Sequence, residues 1–264
     1  MVKAKSTSEV IYEKSRGIAT ISFNRPHALN ALTREMIAET NRALLRARDD
    51  VNVRVIVLTG VGRTFCAGED LKEDSRRTTP LEFREKILEY QRLTTNIYEM
   101  SKVVIAAVNG YALGGGCEIA LSCDLIYASD AAKFGLPETK VGQLITNAGF
   151  YRLPRLVGEK KAKEIALIGD MIDAEEAERI GMINKVVPQA NLMQTVRDIA
   201  QKIIRNAPLS VAMTKSLIDK AQDSTFTTVM ELETQAITVL FTSEDRLEGA
   251  RAFAEKRAPK YKGL

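Results

Sequence analysis

The sequence predicts an α/β core followed by an all-helical tail. Two strand-like runs with an amphipathic helix between them predict the core, and a change to helix-period patterning after about residue 155 predicts the tail. In Ile18–Phe23, Ala19, Ile21 and Phe23 alternate with Thr20 and Ser22, the period of a half-buried strand. Thr33 is a suitable N-cap, and behind it Met36, Ile37, Thr40, Ala43, Leu44 and Ala47 fall on one helical face. Val53–Leu58 is a nearly continuous β-branched run, as expected of a strand covered on both faces. Strand, helix and strand with short joins imply right-handed crossovers in an α/β sheet.

Lys102–Val108 reads as another buried strand and Cys123–Ala128 as a fourth. Between them lies the cluster Gly114-Gly115-Gly116, leading into an apolar, helix-like run that carries one carboxylate, Glu118. Further on, Lys160–Ile168 and Ala174–Ile180 read as helices closed by Gly169 and Gly181. Residues 181–187 form a short last strand. Leu192, Val196, Ile199 and Ile203 mark a long helix stopping near Pro208. Thr214–Ala221, Val229–Phe241 and Glu244–Lys256 continue as helices, the last with Ser243 as N-cap and Glu244 and Asp245 favouring its dipole. The division is a core over residues 1–200 and a helical region over residues 201–264. That region is too short to bury its own apolar faces, so it packs on the core or on another subunit.

Composition narrows the function. A chain of 264 residues with 45% hydrophobic and 27% charged residues is an ordinary globular protein with room for a substantial core. No run approaches the roughly 18 apolar residues of a membrane span. The N-terminus lacks a signal-peptide h-region and arginines, so a cytoplasmic location is expected. The three cysteines, Cys66, Cys117 and Cys123, read as buried free thiols. With one histidine, His27, neither a Cys/His metal site nor a Ser-His-Asp engine is expected. The net charge of +4 is mild and no basic block or RNP-like aromatic cluster accompanies it, so a nucleic-acid partner is not expected.

Two loops carry the candidate chemistry. The strand from Val53 runs into Gly62-Arg63-Thr64-Phe65-Cys66-Ala67-Gly68-Glu69-Asp70-Leu71, and the strand from Val103 into Tyr111-Ala112-Leu113-Gly114-Gly115-Gly116. If those strands are neighbours, the loops converge at the sheet edge where α/β folds bind ligands. One backbone N–H from each would then grip a single carbonyl oxygen. Neither loop matches a dinucleotide or a Walker phosphate pattern. A second acid, Glu138, follows in Gly135-Leu136-Pro137-Glu138. Two carboxyls beside such donors suit proton transfer next to a carbonyl becoming an enolate.

In chain order, residues 22–32 (SFNRPHALNAL), 64–71 (TFCAGEDL), 106–124, 134–138 (FGLPE) and 253–257 (FAEKR) resemble the crotonase superfamily of enoyl-CoA hydratases and isomerases. The resemblance spans nearly the whole chain. It implies a spiral of ββα units with a C-terminal helical trimerisation region. It implies a trimer or dimer of trimers acting on acyl-CoA thioesters in fatty-acid β-oxidation. No cofactor is implied, the thioester being the substrate. The oxyanion hole would use the backbone N–H groups of Glu69 and Gly115. The Asn30–Leu32 segment would open the first helix. The Arg25–Ala28 turn and the Ala67, Gly68, Asp70 and Leu71 loop would border the CoA moiety, with Lys72 and Lys256 as phosphate partners. Superfamily members that keep acids at both positions, here Glu118 and Glu138, look like hydratases. Glu118 is then expected to activate water and Glu138 to protonate Cα.

The chain departs from close hydratases at three places. Glu69 stands where Ala or Ser is common; its N–H survives, and its side chain is expected to point outward. His27 stands where a lysine is common. After Glu138, Ile145-Thr146-Asn147-Ala148-Gly149 replaces a Pro-Gly-Ala-Gly-Gly stretch near the acyl pocket. That last departure keeps a specialised crotonase, acting on another unsaturated or cyclic acyl-CoA, as the alternative.

Overall fold

The computed structural model describes residues 8–72 and 79–264. Ten strands and ten α-helices are found among them. β1 (Val10–Ser15) and β2 (Ile18–Phe23) form an antiparallel hairpin. α1 (Arg34–Asp49) leads to β3 (Val55–Gly60) and β4 (Thr64–Cys66), then α2 (Pro80–Glu99). β5 (Val103–Val108) and β6 (Tyr111–Leu113) precede α3 (Gly115–Ser122). β7 (Leu125–Ser129) and β8 (Lys133–Gly135) precede α4 (Gly149–Val157) and α5 (Glu159–Ile168). β9 (Ile172–Asp173), α6 (Ala174–Arg179), β10 (Lys185–Val187) and α7 (Leu192–Ile204) follow. The tail is α8 (Pro208–Ala221), α9 (Phe226–Phe241) and α10 (Glu244–Ala254).

One sheet runs β1-β2-β3-β5-β7-β10 and a smaller one runs β4-β6-β8-β9. The pairs β3/β4, β5/β6 and β7/β8 each place their first strand in the large sheet and their second in the small one. This is the ββα spiral. β3 and β5 are parallel neighbours, Val55 opposite Val103, so the loops that leave them emerge side by side.

Both faces of the large sheet are covered, which accounts for the unbroken apolar runs of its central strands. Ile56, Leu58, Val104 and Ala106 pack with Met36, Leu44 and Leu93 from α1 and α2. Val55, Val57, Ile105 and Ala107 pack under Leu192, Val196 and Ala200 of α7. Thr33 caps α1 by accepting from the Met36 N–H at 3.0 Å, and the six residues expected on its inner face are its buried residues.

Boundaries differ from expectation at several places. Residues 30–32 precede α1 rather than forming its first turn, because Leu29 and Asn30 adopt left-handed backbone angles (φ 53° and 55°). Asn30 is instead a buried clamp: its Nδ2 donates to the Val61 and Thr64 carbonyls, and its Oδ1 accepts from the Arg25 N–H. Pro208 does not only end a helix. It sits at the first position of α8, where its missing N–H costs nothing and its φ suits the helix. The strand expected over residues 181–187 is confined to Lys185–Val187.

Candidate active site

The two loops meet. Gly68 has φ 94°, and a Cβ there would stand 2.8 Å from the Leu113 carbonyl oxygen and 3.6 Å from Gly114 Cα. Gly114 has φ 50° and faces Gly68 at similar range. Only glycine permits both the backbone angles and this approach.

Each loop then offers an N–H. Leu32 forms a parallel bridge with Glu69, donating to the Gly68 carbonyl at 2.8 Å and accepting from the Asp70 N–H at 3.0 Å. Those bonds use the residues on either side of Glu69, so the Glu69 N–H points away from Leu32. Gly115 is the first residue of α3, where an N–H has no partner within the helix. The positive end of the α3 dipole adds to its pull on an anionic oxygen.

The Glu69 side chain does not point outward into water. It forms an ion pair with Lys86 of α2, and the two side chains are only 18% and 14% exposed. The Lys86 ammonium offsets the carboxylate beside the loop. Nothing in the sequence pattern marks Lys86, because the pairing depends on how α2 packs over the loop.

The two acids border the same glycine turn. Glu118 lies on α3, which is buried from Gly116 to Ser122. It is 2% exposed. Its Oε1 accepts from the Thr146 and Asn147 backbone N–H groups at 2.6 and 2.7 Å, and its Oε2 from Asn147 Nδ2 at 3.2 Å. Burial raises its pKa, and these three donors work against that shift by stabilising the carboxylate. The departure loop thus lies on Glu118 itself. Asn147 is a site residue that the sequence signalled only as a deviation.

Glu138 opens a 3-10 turn, Glu138–Val141, just past β8. Its Oε1 comes within 3.3 Å of where a Gly114 Cβ would be. Its Oε2 is buried without a hydrogen-bond partner among the described residues. Burial, with the Glu118 charge adding to it, pushes the Glu138 carboxyl up to about 7 from 4.5. The folded state therefore holds this proton where the unfolded chain has lost it, and stability falls as pH rises from about 4.5 to 7. Glu138→Gln should raise Tm by several degrees at pH 8, equivalent to roughly 2 kcal/mol, and change it little at pH 4.5. Thermal melts at the two pH values test this. An equal effect at both would remove the buried charge as its cause.

Around this centre the structure gathers most of the expected CoA-side residues. Arg25, at the start of the 3-10 turn Pro26–Ala28, meets Glu9 at 3.1 Å, Asp70 at 3.0 Å and the Ala31 carbonyl at 2.6 Å. The arginine is thereby a brace joining the 25–28 turn to the 67–72 loop. Asp70 also accepts from the Lys72 N–H at 3.1 Å. Burial opposes its charge, but the guanidinium and that N–H hold its pKa below the usual carboxylate value. Ala28 and Ala67 are partly buried on facing segments, and Leu71, Lys72 and His27 are exposed. Lys256 lies past α10 on the tail, whose ties to the core run through Lys215 to Asp124 and through Asp223 to Arg155. The cysteines are buried free thiols, as expected, and burial pushes Cys66 up to about 12. A cavity of about 740 Å³ lies elsewhere, between β5, α4 and α8, and includes none of the catalytic candidates.

The chain matches the enoyl-CoA hydratase/isomerase family over residues 13–264. The short-chain-enoyl-CoA hydratase of Clostridium acetobutylicum is 40% identical over 251 residues, covering 95% of this chain and 96% of that protein. The crotonyl-CoA hydratase of Syntrophomonas wolfei is 39% identical over 249 residues, 94% of this chain and 95% of that one. The crystal structure of enoyl-CoA hydratase from Bacillus anthracis superposes with a TM-score of 0.93 at 36% identity, covering 97% of this chain and 100% of that one. By sequence and by fold, the chain belongs to the enoyl-CoA hydratase/isomerase family of the crotonase superfamily.

Proposed function

We propose that this chain is an enoyl-CoA hydratase that adds water across the 2,3-double bond of a 2-enoyl-CoA to give the 3-hydroxyacyl-CoA. One observation carries the reading: two buried carboxyls, Glu118 and Glu138, border the Gly114–Gly115 turn, where two loops bring N–H groups together. The Glu69 and Gly115 N–H groups take the thioester oxygen and stabilise the enolate that forms there. Glu118, with three donors favouring its anion, removes a proton from water as the water oxygen bonds to C3. The π electrons move to the carbonyl oxygen. Glu138, which holds its proton to about 7, delivers it to C2 as the enolate collapses. Glu118 ends protonated and Glu138 ionised, and proton exchange resets the pair.

Ala28, Ala67, Gly68, Asp70, Leu71 and Lys72 border the CoA moiety in this reading, Arg25 bracing the edge, with Lys256 reaching phosphate from the tail. α8 and α9 contain no buried residue and expose Ile218, Phe226, Met230, Ile237 and Phe241, which supports a trimer or dimer of trimers. A stable monomer in light scattering at micromolar concentration would end that assembly. No described helix is long and apolar enough to cross a membrane. The three buried free thiols suit a reducing compartment such as the cytoplasm, and fatty-acid β-oxidation is the pathway such a hydratase would serve.

Loss of enoyl-thioester absorbance over a panel of acyl-CoA substrates tests the reading. Crotonyl-CoA and its longer straight-chain homologues should be hydrated. Turnover confined to cyclic or otherwise unsaturated acyl-CoAs would favour the specialised crotonase instead, the reading that the Ile145–Gly149 departure supports.

A further inference from the structure

Asn147 is 2% exposed and lies against the carboxyl that activates water in the proposed reaction. Its backbone N–H and its Nδ2 both donate to Glu118, one to each oxygen. Its Oδ1 is buried and has no hydrogen-bond partner among the described residues. A buried amide that served only to hold the loop together would have both ends satisfied, because an unpaired buried acceptor costs roughly 1–3 kcal/mol. Among the described residues, the only side-chain bond of Asn147 goes to Glu118. The opposite amide orientation would set two oxygens 3.2 Å apart, so the donor side faces the carboxylate.

We propose that the Asn147 side chain is a positioning residue for hydration: its Nδ2–H fixes the Glu118 carboxyl and favours its ionised form, so that Oε2 is presented to water as a base. The inference rests on the reading of Glu118 as the water-activating group. Thr146 and Asn147 N–H groups occupy Oε1, which leaves Oε2 as the oxygen that the amide steers. Ala148 takes a left-handed angle of φ 60° before α4 begins at Gly149. A Gly149 Cβ would stand 3.4 Å from Glu118 Oε1, so the loop backbone, not only the side chain, lies against the carboxyl. Among the described residues, the titratable groups around Glu118 include Glu138 from the turn after β8, Cys117 on α3, held neutral by burial, and Tyr90 of α2, whose ring lies against Gly115.

Two variants test the role without touching the backbone donors. Asn147→Asp is nearly isosteric, loses the N–H and places a second carboxylate beside Glu118. It should lower kcat at least tenfold, leave KM within about threefold, and move the acid limb of the kcat–pH profile up by about one pH unit. Asn147→Ala should move the same limb in the same direction by less. A residue with a packing role alone would lower Tm and leave the limb where the wild type has it. An unmoved acid limb in both variants, or a loss confined to KM, overturns the proposal. Glu118→Gln is measured alongside. If it still hydrates crotonyl-CoA, the reading of Glu118 has failed; if it is inactive while the Asn147 limbs stay put, only the role of Asn147 has failed.

Discussion

Glu118→Gln should lower kcat for crotonyl-CoA hydration by about 10²–10⁴-fold, the usual contribution of a positioned general base, and should leave the protein as stable as the wild type or more so. The second half follows from the hydrogen bonds. A glutamine oxygen at the Oε1 position still accepts the Thr146 and Asn147 backbone N–H groups. The glutamine NH2 then faces the Asn147 amide, which can turn over and accept through its unpartnered Oδ1. The substitution also removes a carboxyl whose pKa burial has raised, so it relieves the cost of ionising a group in a dry site. Activity and stability should therefore move apart. Stopped assays of hydration beside thermal melts at pH 8 measure both. A variant that is both active and stable would show that Glu118 is not the base. One that is inactive and unfolded would show that the carboxylate is a structural keystone, contrary to its proposed part.

What could be read from the sequence follows the length and burial of each element. The cap and inner face of α1 are legible because both follow simple chemistry: one hydroxyl at Thr33 and six buried positions at helical spacing. The central strands were legible because cover on both faces leaves them uniformly apolar. β4, β6 and β8 have three residues each, too few to display a period of two. β1 escaped notice because most of its positions are exposed or partly so. α2 carried a readable signal, the Thr79–Glu82 capping box with Pro80 at the first turn, that hydrophobic periodicity alone passes over. At the site, sequence order singles out Glu118, Glu138 and the two glycine loops, and the fold brings them side by side. Sequence order does not single out Lys86 or Asn147. Each acts across a tertiary contact, one from α2 onto the Glu69 loop and one from the turn before α4 onto α3. No spacing rule connects them to their partners. The Glu69 side chain was misplaced for the same reason: an acid on a loop is expected in water until the helix that covers it supplies a lysine.

Gly115→Pro should reduce kcat by about 10²–10³-fold, the cost of losing one oxyanion donor, while Gly115→Ala should stay within about threefold of wild type. The contrast isolates the N–H, which proline replaces with its ring Cδ and alanine keeps. Gly115 is the first residue of α3, the helical position that best tolerates proline. Gly114 before it sits at φ 50°, ψ −128°, outside the α region that a following proline disfavours. A Cβ at position 115 would meet Leu32 Cδ1 at 3.4 Å, Tyr90 Cε1 at 3.5 Å and Glu118 Oε2 at 4.0 Å, ordinary contacts with side chains rather than with backbone. Alanine thus fills the same space as proline near the Cα and keeps the N–H. Helical circular dichroism and Tm should be close to wild type in both. The loss in the proline variant should fall on kcat more than on KM, because the donor gains most from the charge that appears on oxygen only as the enolate forms. Equal activity in the two variants would mean that the Gly115 N–H does not hold the thioester oxygen, and the oxyanion role would have to pass to another group. A proline variant damaged in KM alone would place that N–H in ground-state binding instead. The expected pattern, inactive proline beside active alanine, ties the glycine turn to the transition state and makes the two acids beside it the groups that move protons around a stabilised enolate.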